Sequence, residues 1–454
     1  MAPVSLITEH KAGKQQQQWK VVSGELVSTS APANQQASGI RQLFVSAFLP
    51  VGYPDSVTPD YTGFISWNTV QAISSYVRGV LSSHAVFKGV GVGSQAATAL
   101  GAVFQFFVRD ILGMAGGIIF AYAAGGNFDS NAKQWRLFAD VMNDMAMALD
   151  LASPLIPGGF MIMASLGSVA RAMVGMAAGA THAALTQHFA TAGSNAADIS
   201  AKADSRERAT VIIGSLLGMA VTQRMAENVA AAWLFFAVLT WVHVWANIRA
   251  LRCLVLSSVN EPRLKLLLQH YQDKEKVLTP LQVSGLESLL VPPLAAAWQA
   301  VTSSQQHAPI AFGAQLSAAL RRAAAAAEAA AGRVGRGTCP AGQQGLLLQQ
   351  ALQQQKAAAD RQYLLLLTGK KQLAVEVVLH EAAGQQVQLR AYLHALQLAT
   401  ALHQAGSSGD TQQLLQRSEQ WAVGSLPPFL AALQQHGWEL DKLFLPRPEW
   451  TAEW

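Results

Sequence analysis

The sequence predicts a mainly α protein: a glycine-packed, multi-helix transmembrane domain followed by a small α+β C-terminal domain. Three observations predict this class. Charged residues make up only 13% of the 454 residues and hydrophobic residues 51%, whereas a typical soluble domain is about 25% charged. Charge is absent from whole blocks, at 89–108, 111–128, 151–170 and 172–197. Glycines four apart recur at Gly89/Gly93, Gly113/Gly117, Gly175/Gly179 and Gly214/Gly218, each in or beside an apolar stretch. Such pairs lie on one helix face and let two backbones approach closely, a main source of helix association in lipid.

Residues 1–40 read as a flexible leader with a Gln tract at 15–18. No apolar run follows the start, so the chain is not expected to be secreted. An organelle transit peptide stays open, because acidic residues are sparse there. The helical core is expected at 41–262. Its strongest apolar block, Asn228–Ile248, is long enough to cross a hydrocarbon layer of roughly 30 Å. Eight Val, Leu and Phe residues give that block roughly −2 to −5 kcal/mol on an insertion scale, enough to offset a neutral His243. Trp233, Trp241 and Trp245 add aromatic mass, and Arg249 and Arg252 close the end as interface anchors would. A buried core helix is the competing reading of the same block.

Two motifs carry candidate chemistry. Lys88, Gly89, Gly91, Gly93 and Ser94 are expected to open a helix running to Val108, where free backbone N–H groups would meet an anion. The Arg109-Asp110 pair leaves no room for the second strand of a dinucleotide fold, and no Gly-Lys-Ser/Thr end makes a phosphate loop. Tight helix packing is the favoured reading of these glycines. Arg136, Asp140 and Asp144 recur every four residues with Asn143 beside them, so they share a helix face. That spacing suits a surface ion-pair ladder. It also suits a polar site turned into the bundle, for an ion, a proton or a small substrate.

A helical connector is expected at 263–300 and an α+β module at 301–454. The module contains a low-complexity Ala/Gln-rich insertion at about 317–359, read as a linker or an elongated surface helix. Tyr363–Leu367 and Leu373–Leu379 flank a Thr-Gly-Lys-Lys turn and read as a hairpin. Gln388–His403 and Pro427–His436 read as helices. No HExxH, nucleophile elbow, kinase set or EF-hand loop occurs, so no enzyme, catalytic residue, metal or cofactor is expected. Cys253 and Cys339 are too few for a disulfide scaffold and form no CxxC. Basic residues form no dense tract, which argues against nucleic acid.

Several segments carry a family resemblance. Phe48-Leu49-Pro50-Val51-Gly52-Tyr53-Pro54-Asp55-Ser56-Val57, Asp60-Tyr61, Trp67, Gln71-Ala72, Gly89 to Gly93 and Trp135 to Asp144 resemble the root UVB sensitive family. So do Ala197 to Lys202, Asn247 to Leu256 with Asn260, Ala391 to Ala395, and Gly437-Trp438 through Pro446. Two departures stand out. Gly116-Gly117-Ile118 lacks the usual Arg, and Lys202-Ala203-Asp204-Ser205-Arg206-Glu207-Arg208 replaces the usual Lys-Asp-Gly-Ser-Gln-Glu-Thr. The resemblance implies a role in light and UV-B responses of seedlings, linked to vitamin B6 balance and auxin transport. It implies plastid association, a complex with a paralogous member or a homo-oligomer, and a link to pyridoxal phosphate, with no established reaction. Two functions are therefore expected: a membrane-bound interaction subunit or, alternatively, a carrier for a small anionic metabolite such as a phosphorylated B6 vitamer.

Overall fold

A computed structural model describes residues 6–11, 14–22, 25–28, 43–90, 99–124, 128–156, 158–191, 195–225, 227–291, 294–295, 307–330, 348–349, 362–369, 373–406 and 411–454. The chain divides into two compact units, residues 1–254 and 255–454. Within the stretch read as a leader, β1 (Leu6–Lys11), β2 (Lys14–Val22) and β3 (Glu25–Ser28) form an antiparallel meander.

Among the described residues, six long helices dominate the rest of the first unit: α1 (Tyr61–Val90), α2 (Ala99–Ala124), α3 (Ala132–Ala152), α4 (Phe160–Phe189), α5 (Ala196–Met225) and α6 (Val229–Cys253). Helix α1 is central, packing on α3, α5 and α6, while α4 lies against α2 and α3. Glycine decides how close two of these pairs come. A Cβ at Gly214 would stand 2.6 Å from the Tyr76 Cβ, and one at Gly218 would stand 2.8 Å from a Val80 methyl. Both lie below normal carbon contact, so α1 and α5 meet backbone to side chain only because those positions are bare. Gly116 and Gly117 do the same for α2 against Val169 and Ala172 of α4. A side chain at Gly117, where the family resemblance expects Arg, would meet Ala172 at 3.2 Å. Gly175 and Gly179 have nothing within 4 Å.

The charge-free blocks 89–108 and 111–128 do not form separate helices. Helix α2 runs straight through Arg109 and Asp110, which pair at 3.5 Å while Arg109 stacks over the Phe106 ring. Among the described residues, three helices are long and apolar enough to cross a membrane by length and composition: Leu100–Ala124, Phe160–Phe189 and Val229–Cys253. Asn228 starts the last of these by accepting a hydrogen bond from the Ala231 N–H, satisfying one of the donors every helix start leaves free.

The second unit is a sheet between helices. Strand β5 (Ile310–Phe312) pairs parallel with β7 (Ala374–His380). Strand β7 pairs antiparallel with β6 (Tyr363–Thr368) and parallel with β9 (Thr451–Ala452). The expected hairpin is therefore present, as are the expected helices, here α10 (Gln385–Ala405) and α12 (Leu426–Gln435). Val375, Val377 and Leu379 face Ala391, Ala395 and Leu398 of α10, while Val378 faces α9 (Leu316–Ala330). Glu376, which breaks the second apolar face in sequence, meets Arg322 of α9 through two bonds of 2.6 and 2.7 Å.

The described start of the Ala-rich stretch is thus a packed helix, not a linker: Ala319, Ala323 and Ala324 are buried because alanine lets α9 sit close on the sheet. The expected connector is likewise core. Leu264, Leu267 and Leu268 of α7 (Glu261–Lys274) pack with Leu393, Phe429 and Leu433. Helix α8 (Pro280–Leu286) adds Val283, α11 (Thr411–Gly424) adds Trp421, and β4 (Ser258–Asn260) pairs parallel with β8 (Glu439–Phe444).

Candidate functional site

The first unit carries a polar seam where α1, α3 and α6 meet, and each helix supplies its part at helical spacing. Helix α1 offers Gln71, Ser74 and Arg78; α3 offers Arg136, Asp140 and Asp144; α6 offers Thr240, His243 and Asn247. Residues three, four and seven apart fall on one face, so three polar stripes converge inside the bundle. Arg78 and His243 are fully buried, and Gln71, Asp144 and Asn247 nearly so.

Asp144 is the hub. One carboxylate oxygen lies 2.7 Å from Arg78 Nη1 and the other 2.9 Å from His243 Nδ1. The first contact is an ion pair without hydrogen-bond geometry, leaving Asp144 Oδ1 without a hydrogen-bond partner among the described residues, while Nη1 donates at 2.8 Å to the Thr240 hydroxyl. Arg78 Nε donates to the Ser74 carbonyl, and the guanidinium lies over the Phe236 ring. Asp140 accepts from the Gln71 amide at 2.9 Å and from the Asn247 amide at 2.6 Å, and pairs with Arg136 at 3.3 Å. The same Gln71 nitrogen sits 2.9 Å from His243 Nε2. An amide nitrogen only donates, so Nε2 is the acceptor and the neutral imidazole carries its proton on Nδ1, facing Asp144.

Both readings of the Asp/Arg face therefore meet in one place. Arg136 and Asp140 do form the i,i+4 pair, but Asp140 and Asp144 turn inward to other helices. Asn143 lies beside them, donating to the Ser75 hydroxyl at 3.2 Å. Sequence reasoning took His243 for a tolerated neutral residue and did not single out Arg78. The signal that marks them is the seven-residue recurrence of polar groups at Gln71/Arg78 and Thr240/Asn247 on apolar helices.

The glycine-rich segment gives a different picture. Lys88 and Gly89 occupy the last turn of α1, so they end a helix instead of opening one. Free carbonyls and the negative dipole end disfavour an anion there. Gly89 packs against Phe160 and Ser153, while Gly91, Gly93 and Ser94 lie outside the described residues. In and beside the altered stretch on α5, where Arg206 stands for the usual Gln, the charges have a structural task. Asp198 accepts from the Val51 N–H at 2.7 Å, Lys202 donates to the Ser46 carbonyl, and Arg206 donates to the Phe48 carbonyl and the Tyr61 hydroxyl. These charges hold the 46–51 segment along α5. No group of three or more His, Cys, Asp or Glu side chains suited to a metal occurs among the described residues.

Residues 34–275 match the family described as a vitamin B6 photo-protection and homoeostasis domain, and residues 343–454 match the root UVB sensitive protein C-terminal family. The chain is 39% identical to protein root UVB sensitive 3 of Arabidopsis thaliana, over 90% of this chain and 86% of that one. It is 38% identical to RUS family member 1 of Dictyostelium discoideum over 56% of this chain and 49% of that protein. It is 28% identical to protein root UVB sensitive 2, chloroplastic, of Arabidopsis thaliana over 60% of this chain and 61% of that protein. No solved structure matches.

Proposed function

The chain belongs to the root UVB sensitive family, and from that membership we propose that it is a membrane-embedded interaction subunit supporting UV-B response and vitamin B6 homeostasis. The observation that carries this reading is the apolar face of α2. Leu100, Val103, Phe104, Met114 and Ile118 are each more than 60% exposed, and soluble monomers rarely leave so continuous a patch in water. Ile212, Leu216, Leu234 and Trp241 continue the pattern on α5 and α6. Lipid covers these faces. The bare Gly175/Gly179 pair of α4 offers a close-packing surface for a second family member or a second copy. The name of the chloroplastic relative supports a plastid membrane. Alkaline carbonate extraction tests the reading: the protein is expected in the pellet, and quantitative release to the supernatant sinks it.

A second reading is favoured by the polar seam. Ionisable groups inside a membrane bundle are costly and usually mark a pathway or a site, which suits a carrier for a small anionic metabolite such as a phosphorylated B6 vitamer. Flux of pyridoxal phosphate into vesicles holding the purified protein tests it. Vesicles no more permeable than protein-free controls remove it.

A further inference from the structure

Two details of the seam go beyond a set of satisfied pairs. The first is Arg78. Its Nε and Nη1 are engaged, but Nη2 is buried without a hydrogen-bond partner among the described residues. A buried donor left unpaired costs about 1–3 kcal/mol, and a guanidinium edge is the side-chain group best shaped to take an oxyanion.

The second is His243. With a neutral imidazole the seam is balanced: Arg78 and Arg136 stand against Asp140 and Asp144, and Gln71, Ser74, Thr240 and Asn247 bring no charge. A proton on Nε2 adds one positive charge and turns that nitrogen into a donor facing the donating Gln71 amide. Gln71 must then present its carbonyl oxygen, which breaks its bond to Asp140. A bound anion offsets that added charge. Proton and anion therefore favour each other's binding, and the coupling is reciprocal.

We infer that Arg78 and His243 form a proton-coupled oxyanion site: the unpaired Arg78 Nη2 binds the phosphate or carboxylate of a small solute while His243 takes up one proton. This rests on the carrier reading and names its coupling ion. The chemistry recognised is the oxyanion, so a phosphate ester and free phosphate are separate arms of the test.

The purified full-length protein is placed in phosphatidylcholine vesicles with a pH-sensitive dye inside. Uptake of labelled pyridoxal phosphate, and separately of labelled inorganic phosphate, is measured as exchange without a gradient and as net uptake under an inward proton gradient. The gradient is expected to raise uptake several-fold and uptake to acidify the lumen. A response confined to pyridoxal phosphate supports a phosphate-ester site, and an equal response to phosphate supports a free-phosphate site. In His243→Gln the ratio of uptake with the gradient to uptake without it is expected to fall to about one. Arg78→Lys, which keeps charge but loses the fork, is expected to raise the half-saturating concentration about tenfold. If His243→Gln does not fold, the lumen pH of the wild-type vesicles still decides. Absence of exchange in the wild type overturns the carrier reading and this site with it. Exchange indifferent to the gradient, with a constant lumen pH, overturns the proton-coupled site alone.

Discussion

Asp144 and Asp140 sit one helical turn apart, yet their partners differ in burial, and that difference sets what each is worth. Arg78 beside Asp144 is fully buried, whereas Arg136 beside Asp140 keeps 19% of its side chain in contact with solvent. Removing the charge of Asp144 strands a buried guanidinium, so Asp144→Asn is predicted to cost about 3–5 kcal/mol. Asp140→Asn loses one of several acceptor bonds and is predicted to cost about 1–3 kcal/mol. Unfolding in detergent measures both, and a cost under about 0.5 kcal/mol for each would return the residues to a surface ladder. Complementation of a family-deficient seedling line, with protein level checked, reads function: full rescue by both variants would sink the site. In the second unit, burial first and Lys265 second hold the His307 imidazole below its ordinary range. The unfolded chain therefore takes up that proton first as pH falls. The stability present above the ordinary imidazole value is then lost down to the lower folded one. His307→Gln is predicted to flatten the acid side of the second unit's stability profile, and an unchanged slope would remove His307 as the cause.

Helix packing makes a sharper claim about glycine than its spacing does. Four pairs share one sequence signature; of the three with both members described, Gly113/Gly117 and Gly214/Gly218 are filled on both by a neighbouring helix and Gly175/Gly179 on neither. Gly214→Ala and Gly218→Ala are therefore predicted to destabilise by about 1–3 kcal/mol through overpacking. Gly175→Ala and Gly179→Ala should be neutral or gain up to about 1 kcal/mol of helix propensity. Melting of the four single variants in detergent separates them, and equal effects would mean that α1 and α5 do not meet at those glycines. This also explains how much was legible in the sequence. Helices α3 and α6, the hairpin and α10 were readable because period and charge gaps are local signals. The closing of the seam was not, because it depends on which face of α1 meets α3 and α6. The polar residues of α1 fall on several faces, with Asn68, Thr69 and Ser75 among Gln71, Ser74 and Arg78, so the sequence does not single out the face that closes the seam. The helical connector and the Ala-rich stretch were misplaced for the same reason: Leu264 and Ala323 share their core clusters with Leu393 and Val378, far away in sequence.

The two units use opposite rules for their surfaces. In the second, apolar side chains such as Leu393, Phe429 and Val377 are fully buried, as in any water-soluble core. In the first, the largest apolar side chains of α2 point outward, while the fully buried positions include alanines and polar residues: Ala139, Ala146, Arg78 and His243. On the membrane reading proposed above, buried polar groups within and exposed apolar faces without suit a lipid solvent, where backbone closeness and internal hydrogen bonds add to hydrophobic burial. Damage to each unit should then appear in a different assay. Phe429→Ala is predicted to cost the second unit about 3–5 kcal/mol while leaving the protein in the carbonate pellet. Phe104→Lys and Ile118→Lys together are predicted to weaken membrane retention, since each lysine at depth costs about 2.5–3.5 kcal/mol on an insertion scale. They touch nothing in the second core, so its thermal transition should hold. If Phe429→Ala releases the chain from the membrane while the lysine pair does not, attachment lies in residues 255–454, and the outward apolar face of α2 then requires a protein partner in place of lipid.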